Sequence, residues 1–336
     1  MSTASFTFIS SQFSIYVGFS IFTLGIFGNL INLRLLFPSR KNPSSFLLFI
    51  SSFFNLIALS FGLLPRILSI GFATDASLTN LIWCKSRLFF SYNGTITSII
   101  CICFASIDRF FVSCRSVVWR NRSNLKTAKL AILITIPIIL GINIPYLLFY
   151  TIVQTKTDAG NITRKCTTTN SGLILYGNYF VRPVLIGLLP STILCITGCL
   201  IYRNINSIAS IQLRGTFQRN LTSMVFIQTI TFIIPVMPFA TINIYQLLTS
   251  SIQKSSYRLA QEMLVSDTSN IVLYISYAAN FYVYLISSSS YRRDFLQFIL
   301  FCYNQNRSNN HVHPLPGVQF TLNQMSTIQQ FPRVTH

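Results

Sequence analysis

Seven long apolar runs, separated by short charged stretches, leave this chain few ways to fold. They lie near residues 13–36, 45–68, 83–110, 129–152, 180–202, 222–248 and 268–290. Each is long enough to cross the hydrocarbon core of a bilayer as a helix, which takes about 20 residues. Backbone in lipid must satisfy its own polar groups, and for single runs of this length only the α-helix does so. Of the 336 residues 51% are hydrophobic and only 9% charged, where a soluble domain carries nearer a quarter charged. The sequence therefore predicts an all-α membrane protein, a seven-transmembrane helix bundle over residues 13–302. A short N-terminal segment (1–12) and a polar, disordered tail (303–336) flank it. No basic stretch or small-residue cleavage site marks residues 1–12, so the first run is expected to stay as a helix. No internal repeat stands out.

The third run carries the clearest landmarks, Cys84 at one end and Asp108-Arg109 at the other. The 25 positions from Cys84 to Arg109 span roughly 37 Å of helix, close to the full thickness of a bilayer with its interfaces. An oxidisable residue at one face and a charge pair at the other suit a signalling protein better than a simple anchor. The third and sixth runs are also the least purely apolar; the third holds Asn93, Thr95, Thr97 and Ser98, as expected of a helix facing a bundle interior.

Lys and Arg set the orientation. With the N-terminus outside, 16 of the 25 basic residues fall on the cytoplasmic side, among them Arg109, Arg115, Arg120, Arg122, Arg292 and Arg293. The positive-inside rule favours this topology. The net charge of +19 then forms mostly a cytoplasmic collar facing anionic lipid. Nucleic acid is not an expected partner, because the basic residues are scattered over separate loops. Of the eight cysteines, Cys101, Cys103, Cys195 and Cys199 lie inside apolar runs, where they act as small hydrophobes. Cys84 and Cys166 are the only two assigned to the outer, oxidising face; a bond between them would pin the second outer loop across the third helix. Asn161-Ile162-Thr163 in that loop is a usable glycosylation sequon, with Asn161 the acceptor. Asn93-Gly94-Thr95 fits the same pattern but lies within a span and is discounted.

Several motifs, taken in order, resemble those of rhodopsin-like G protein-coupled receptors over roughly residues 13–302. Gly28-Asn29 stands in the first helix and Cys84 heads the third, which ends in Asp108-Arg109-Phe110, similar to the family's Asp-Arg-Tyr. Cys166 fits the second outer loop. Pro190 and Pro238 fit the prolines of helices five and six, with Phe232 six residues before Pro238. Asn280-Phe281-Tyr282-Val283-Tyr284 resembles Asn-Pro-x-x-Tyr with the proline replaced, and Tyr291-Arg292-Arg293-Asp294-Phe295 resembles the start of a short amphipathic eighth helix. The resemblance implies a G-protein coupling switch at Asp108, Arg109, Asn280 and Tyr284. It also implies polar and hinge positions at Asn29, Asn55, Ser98, Pro190, Phe232 and Pro238.

The chain also departs from that family. Asn55 stands where an Asp is usual, so the carboxylate that would hold sodium is replaced by a poorer cation ligand; Asn55, Ser98 and Asn280 are still expected to form a polar cluster. The fourth-helix Trp is absent, Val236 stands at the sixth-helix Trp position, and Gly198 replaces the fifth-helix Tyr. Ser91 occupies the position of the amine-receptor Asp, which disfavours amines, and no Lys in the seventh run could form a retinal Schiff base. Arg66, Arg87 and Arg182 are assigned to the outer ends of helices two, three and five. There they suit a ligand carboxylate or phosphate by forked hydrogen bonding and equally suit snorkelling to the interface. Tyr92, Phe239, Asn243 and Tyr274 are further candidates for the pocket wall.

The leading expectation is a plasma-membrane receptor, outside at its N-terminus, that passes the binding of an extracellular peptide or small acid to a heterotrimeric G protein. A seven-helix transporter or channel is the alternative; it lacks an inverted repeat and paired intramembrane acids. An enzyme would need chemistry the spans do not carry, since His311, His313 and His336 all lie in the tail. The reading calls for no cofactor and no metal.

Overall fold

In the computed structural model, which describes residues 3–156, 162–206 and 216–310, the apolar runs are helices. α1 covers Thr3–Ser39, α2 Pro43–Gly71, α3 Leu81–Ser113, α4 Leu125–Phe149 and α5 Ser171–Asn204. α6 covers Thr216–Leu248. α7 is made of Ser256–Ala278 and Asn280–Ser287, set at 47° to one another. Six of these are long and apolar enough to cross a membrane, seven if bent α7 counts as one span. α8 covers Ser289–Asn310.

Helix boundaries follow local chemistry. Asn42, Asn80, Asn124, Asn170 and Ser255 precede α2, α3, α4, α5 and α7, and each side chain accepts a hydrogen bond from a backbone N–H of the first turn, satisfying one of the orphan donors of a helix start. Wide π turns at Leu59–Leu63 run into Pro65, and those at Tyr176–Leu188 contain Pro183 and lead into Pro190. Proline gives its helix no N–H, and the ladder around it must reorganise.

Two ends extend beyond expectation. α1 starts at Thr3 instead of 13, in a stretch free of Pro and Gly up to Val17. Its extra turns are held against the end of α7 on the Cys84 side of the bundle (called outer below, the Arg109 side being inner), Phe6 meeting Tyr257 edge-on at 5.3 Å and Ser10 donating to Asp267 at 3.1 Å. The segment 1–12 is thus helical from Thr3 rather than a separate tail. α7 starts at Ser256 instead of 268; its outer turns are polar and knotted to α6. There Glu262 accepts from Lys254 at 2.5 Å, from the Tyr245 hydroxyl at 3.0 Å and from Arg258 at 3.3 Å.

The bend in α7 has no proline at its centre. Tight turns occur at Tyr274 and Ala279, and the Tyr277 carbonyl accepts a 2.9 Å hydrogen bond from the Asn29 side chain of α1. A side chain inserted into the helical ladder is a sufficient cause for a kink. The second outer loop forms an antiparallel hairpin, β1 (Thr151–Lys156) with β2 (Ile162–Thr167), in which Ile152 faces Cys166. Cys166 is disulfide-bonded to Cys84, with Cα atoms 5.7 Å apart. Asn161 lies outside the described residues.

The chain divides into two units at Phe295. In the second, α8 continues to Asn310, about two turns past Cys302. In the first, α2 and α3 share the most extensive contact, and Gly94 lies where their backbones come close. A Cβ on Gly94 would lie 2.7 Å from the Ala58 backbone nitrogen, a clash that no side-chain rotation relieves. Small residues at such crossings let helix backbones approach. Gly94→Ala should therefore destabilise the purified protein by about 1–3 kcal/mol, the usual cost of overpacking. Gly141→Ala, with open space around its site in α4, should not lower the melting temperature, since alanine is the better helix former.

Candidate functional site

Three groups of polar side chains line up through the bundle: an outer cavity, a central amide chain and an inner charge cluster. The outer cavity has a volume of about 80 Å³. α2 supplies Gly62 and Arg66, α3 Arg87, Ser91 and Tyr92, α5 Arg182, α6 Phe239, and α7 Asn270 and Tyr274. Seven of the eight residues expected at a pocket thus surround one space. The eighth, Asn243, does not line it; its amide turns back to the Phe239 carbonyl at 2.7 Å. Gly62 makes the cavity floor possible, since a Cβ there would run into the hydroxyls of Tyr274 and Ser91.

The three arginines differ in a way that sequence did not reveal. Arg66 is paired with Asp267 at 3.4 Å, and Arg87 with Asp75 at 3.6 Å. Asp75 also accepts from the backbone and hydroxyl of Ser77. Among the described residues Arg182 has only neutral partners: its Nε donates to the Tyr92 hydroxyl at 3.3 Å and its Nη1 to Asn178 Oδ1 at 3.4 Å. The disulfide at Cys84 stands one turn above Arg87 on α3, so the hairpin is fixed near the cavity mouth.

Below the cavity, Asn29, Asn55 and Ser98 are fully buried and bonded in sequence. Asn55 donates to Asn29 Oδ1 at 2.9 Å and accepts from the Ser98 hydroxyl, which also meets Ser51 at 3.0 Å. Asn29 spends both amide hydrogens on the carbonyls of Gly25 and Tyr277. The expected cluster of Asn55, Ser98 and Asn280 forms only in part. Asn280 instead accepts from Gln228 of α6 at 3.0 Å, and Tyr284 donates to the same Gln228 at 3.1 Å. Gln228 was missed in the sequence, although a lone amide within an apolar span is itself a signal. Phe232 is buried on the same helix, its carbonyl 3.5 Å from the Ser276 hydroxyl. Pro190 is buried and Pro238 exposed; a second α6 proline, Pro235, is buried one turn before Pro238.

At the inner end Arg109 is almost wholly buried, 2% exposed. Its Nη2 lies 3.8 Å from Asp108 but donates to Asn42 Oδ1 at 3.1 Å, and its Nε has no hydrogen-bond partner among the described residues. Asp108 is held mainly by hydroxyls, Ser44 of α2 and Ser123 of the second inner loop, the latter at 2.5 Å. Asn42 therefore does two things at once, capping α2 through Ser44 N–H and holding Arg109. The Asn-Pro-Ser sequence at 42–44 carries the capping half of that role in plain view; the other half depends on tertiary placement. Among the described residues no three His, Cys, Asp or Glu side chains come together as a metal site would need.

Asn55→Asp would set a carboxylate against Asn29 Oδ1, two acceptors facing each other. The substitution should cost about 1–3 kcal/mol of stability, measured by thermal unfolding in low sodium, with part of the loss recovered as sodium is added. The unsubstituted protein should show no sodium dependence in the same assay.

Among protein families, the model described as 7 transmembrane receptor (rhodopsin family) matches residues 35–284. Comparison with curated proteins gives no match.

Proposed function

Because the chain belongs to the rhodopsin family of seven-transmembrane receptors, we propose that it is a plasma-membrane receptor. It passes the binding of an extracellular peptide or small acid, taken up at the outer cavity, to a heterotrimeric G protein at the inner end. The observation that carries this reading is the state of Arg109. A guanidinium buried in the bundle whose Nε has no hydrogen-bond partner among the described residues, and which is held by one amide oxygen and a 3.8 Å pairing with its chain neighbour Asp108, is a poor structural element and a good releasable one. A partner bearing carbonyl groups would offer its fork better acceptors than the bundle does.

The connection between the ends runs through α6 and α7. Tyr274 and Phe239 wall the cavity, Ser276 meets the Phe232 carbonyl, and Gln228 bonds both Asn280 and Tyr284. A ligand that favours another arrangement of Tyr274 shifts the population towards conformers in which Gln228 leaves Asn280 and the inner arm of α6 moves. Asp108 opposes this by keeping its neighbour seated, and its own seat depends on Ser44 and Ser123. The N-terminus lies outside in this scheme, on the side of the disulfide.

Asp108→Asn should raise basal guanine-nucleotide exchange in membranes, and Ser44→Ala combined with Ser123→Ala should do the same. Arg109→Ala should abolish exchange while leaving ligand affinity within a few-fold, since Ser91 in the cavity is about 27 Å along α3 from Arg109. Normal exchange by Arg109→Ala membranes would refute the scheme. The orientation is checked separately at Asn161: in eukaryotic cells Thr163→Ala should raise gel mobility as much as glycosidase does, and a glycan found at Asn121 or Asn306 would invert the topology.

A further inference from the structure

The cavity contains three guanidinium groups, and their partners divide them sharply. Arg66 and Arg87 are each balanced by an aspartate of the protein itself, Asp267 and Asp75. Asp267 is fixed further by Ser10 of the α1 extension, and Asp75 by Ser69 and Ser77. These pairs are built into the scaffold, and a ligand anion would have to compete with a carboxylate already in place. Arg182 has no such partner among the described residues; its two bonds go to a phenol and an amide, both at the long end of hydrogen-bond range. A half-buried positive charge satisfied only by neutral acceptors is costly unless something else supplies the negative charge.

We propose that Arg182 is the anion anchor of this receptor and that its ligand presents a single carboxylate there. This rests on the reading of the outer cavity as the ligand site. One free guanidinium matches one negative charge, and the planar carboxylate fits its fork. A phosphate monoester, carrying about −1.5 to −2, would leave excess charge beside aromatic walls. Those walls are Phe61, Tyr92, Phe239 and Tyr274. They suit an apolar or aromatic continuation of the acid. With a volume of about 80 Å³, against the 300 Å³ or more of a typical small-molecule pocket, the cavity takes an acidic head group and leaves the remainder of the ligand towards the mouth. Arg66 and Arg87 then hold the mouth together instead of binding the ligand.

The test uses the full chain in lipid nanodiscs and a panel of alkyl and aryl monocarboxylates. Each is measured by thermal stabilisation beside its primary amide and the phosphate monoester of the matching alcohol. At least one carboxylate should bind about tenfold or more tightly than its amide, as expected for a charge-assisted fork, and more tightly than the phosphate. Arg182→Gln should abolish that preference and Arg182→Lys should restore only part of it. Arg258→Gln, which removes a cation of α7 outside the cavity lining, should keep it. Equal binding of acids and amides, or a phosphate that outperforms every carboxylate, would overturn the proposal. So would an acid preference that survives Arg182→Gln but is lost in Ser91→Leu, which puts a larger side chain into the cavity; in that case the cavity stands and the anchor is wrong. Acid binding unaffected by both Arg182→Gln and Ser91→Leu would remove the cavity itself as the ligand site.

Discussion

The Asn29 side chain holds three helices to one another. Its amide hydrogens go to carbonyls of α1 and α7, and its oxygen receives Asn55 of α2. Through Asn55 and Ser98 the chain of bonds continues into α3. In lipid, where apolar surface gives helices no hydrophobic reason to associate, packing and buried hydrogen bonds decide which faces meet. The α7 bend depends on the same residue, because the Tyr277 carbonyl turns to Asn29 at that point. The inner half of α7, with Asn280 and Tyr284, takes its direction from the bend, and both then reach Gln228 on α6.

Electrostatics are distributed unequally along the membrane normal. At the outer end three of the four ion pairs among the described residues join different elements, Arg66 on α2 to Asp267 on α7, Arg87 on α3 to Asp75 in the first outer loop and Lys254 before α7 to Glu262 within it, while Arg258 and Glu262 pair within α7. At the inner end the only ion pair among the described residues is between chain neighbours, at 3.8 Å, and the groups around it are hydroxyls and an amide. Ion pairs tie the outer face across helices, whereas at the inner face neutral hydroxyls and an amide hold the charged groups by hydrogen bonds, individually worth about 1.5–3 kcal/mol.

The helices were legible because lipid forces one solution on an apolar run of this length, and the order of Cys84, Asp108-Arg109 and Cys166 identified the bundle. The ends of α1 and α7 were not, because their outer turns are fixed by tertiary contacts such as Phe6 with Tyr257, and Glu262 with Lys254, that hydropathy does not record. The residues expected at the outer pocket do surround one cavity, apart from Asn243. Which of its arginines is spoken for could not be read, since Asp75 and Asp267 are distant in the chain from the side chains they meet. The same holds for Ser44 and Ser123: a serine near a span end is unremarkable until a carboxylate is found against it.

The knot of Tyr245, Lys254, Arg258 and Glu262 at the outer ends of α6 and α7 has a mechanical consequence. It fixes one end of α6, and the buried Pro235 lies below it with a helical arm of 19 residues running inward to Thr216. That arm is about 28 Å long, so each degree of added bend at Pro235 carries its tip sideways by about 0.5 Å. With the upper end pinned, α6 works as a pointer whose small angular changes near the middle of the membrane are read as displacements of several ångströms at the inner face.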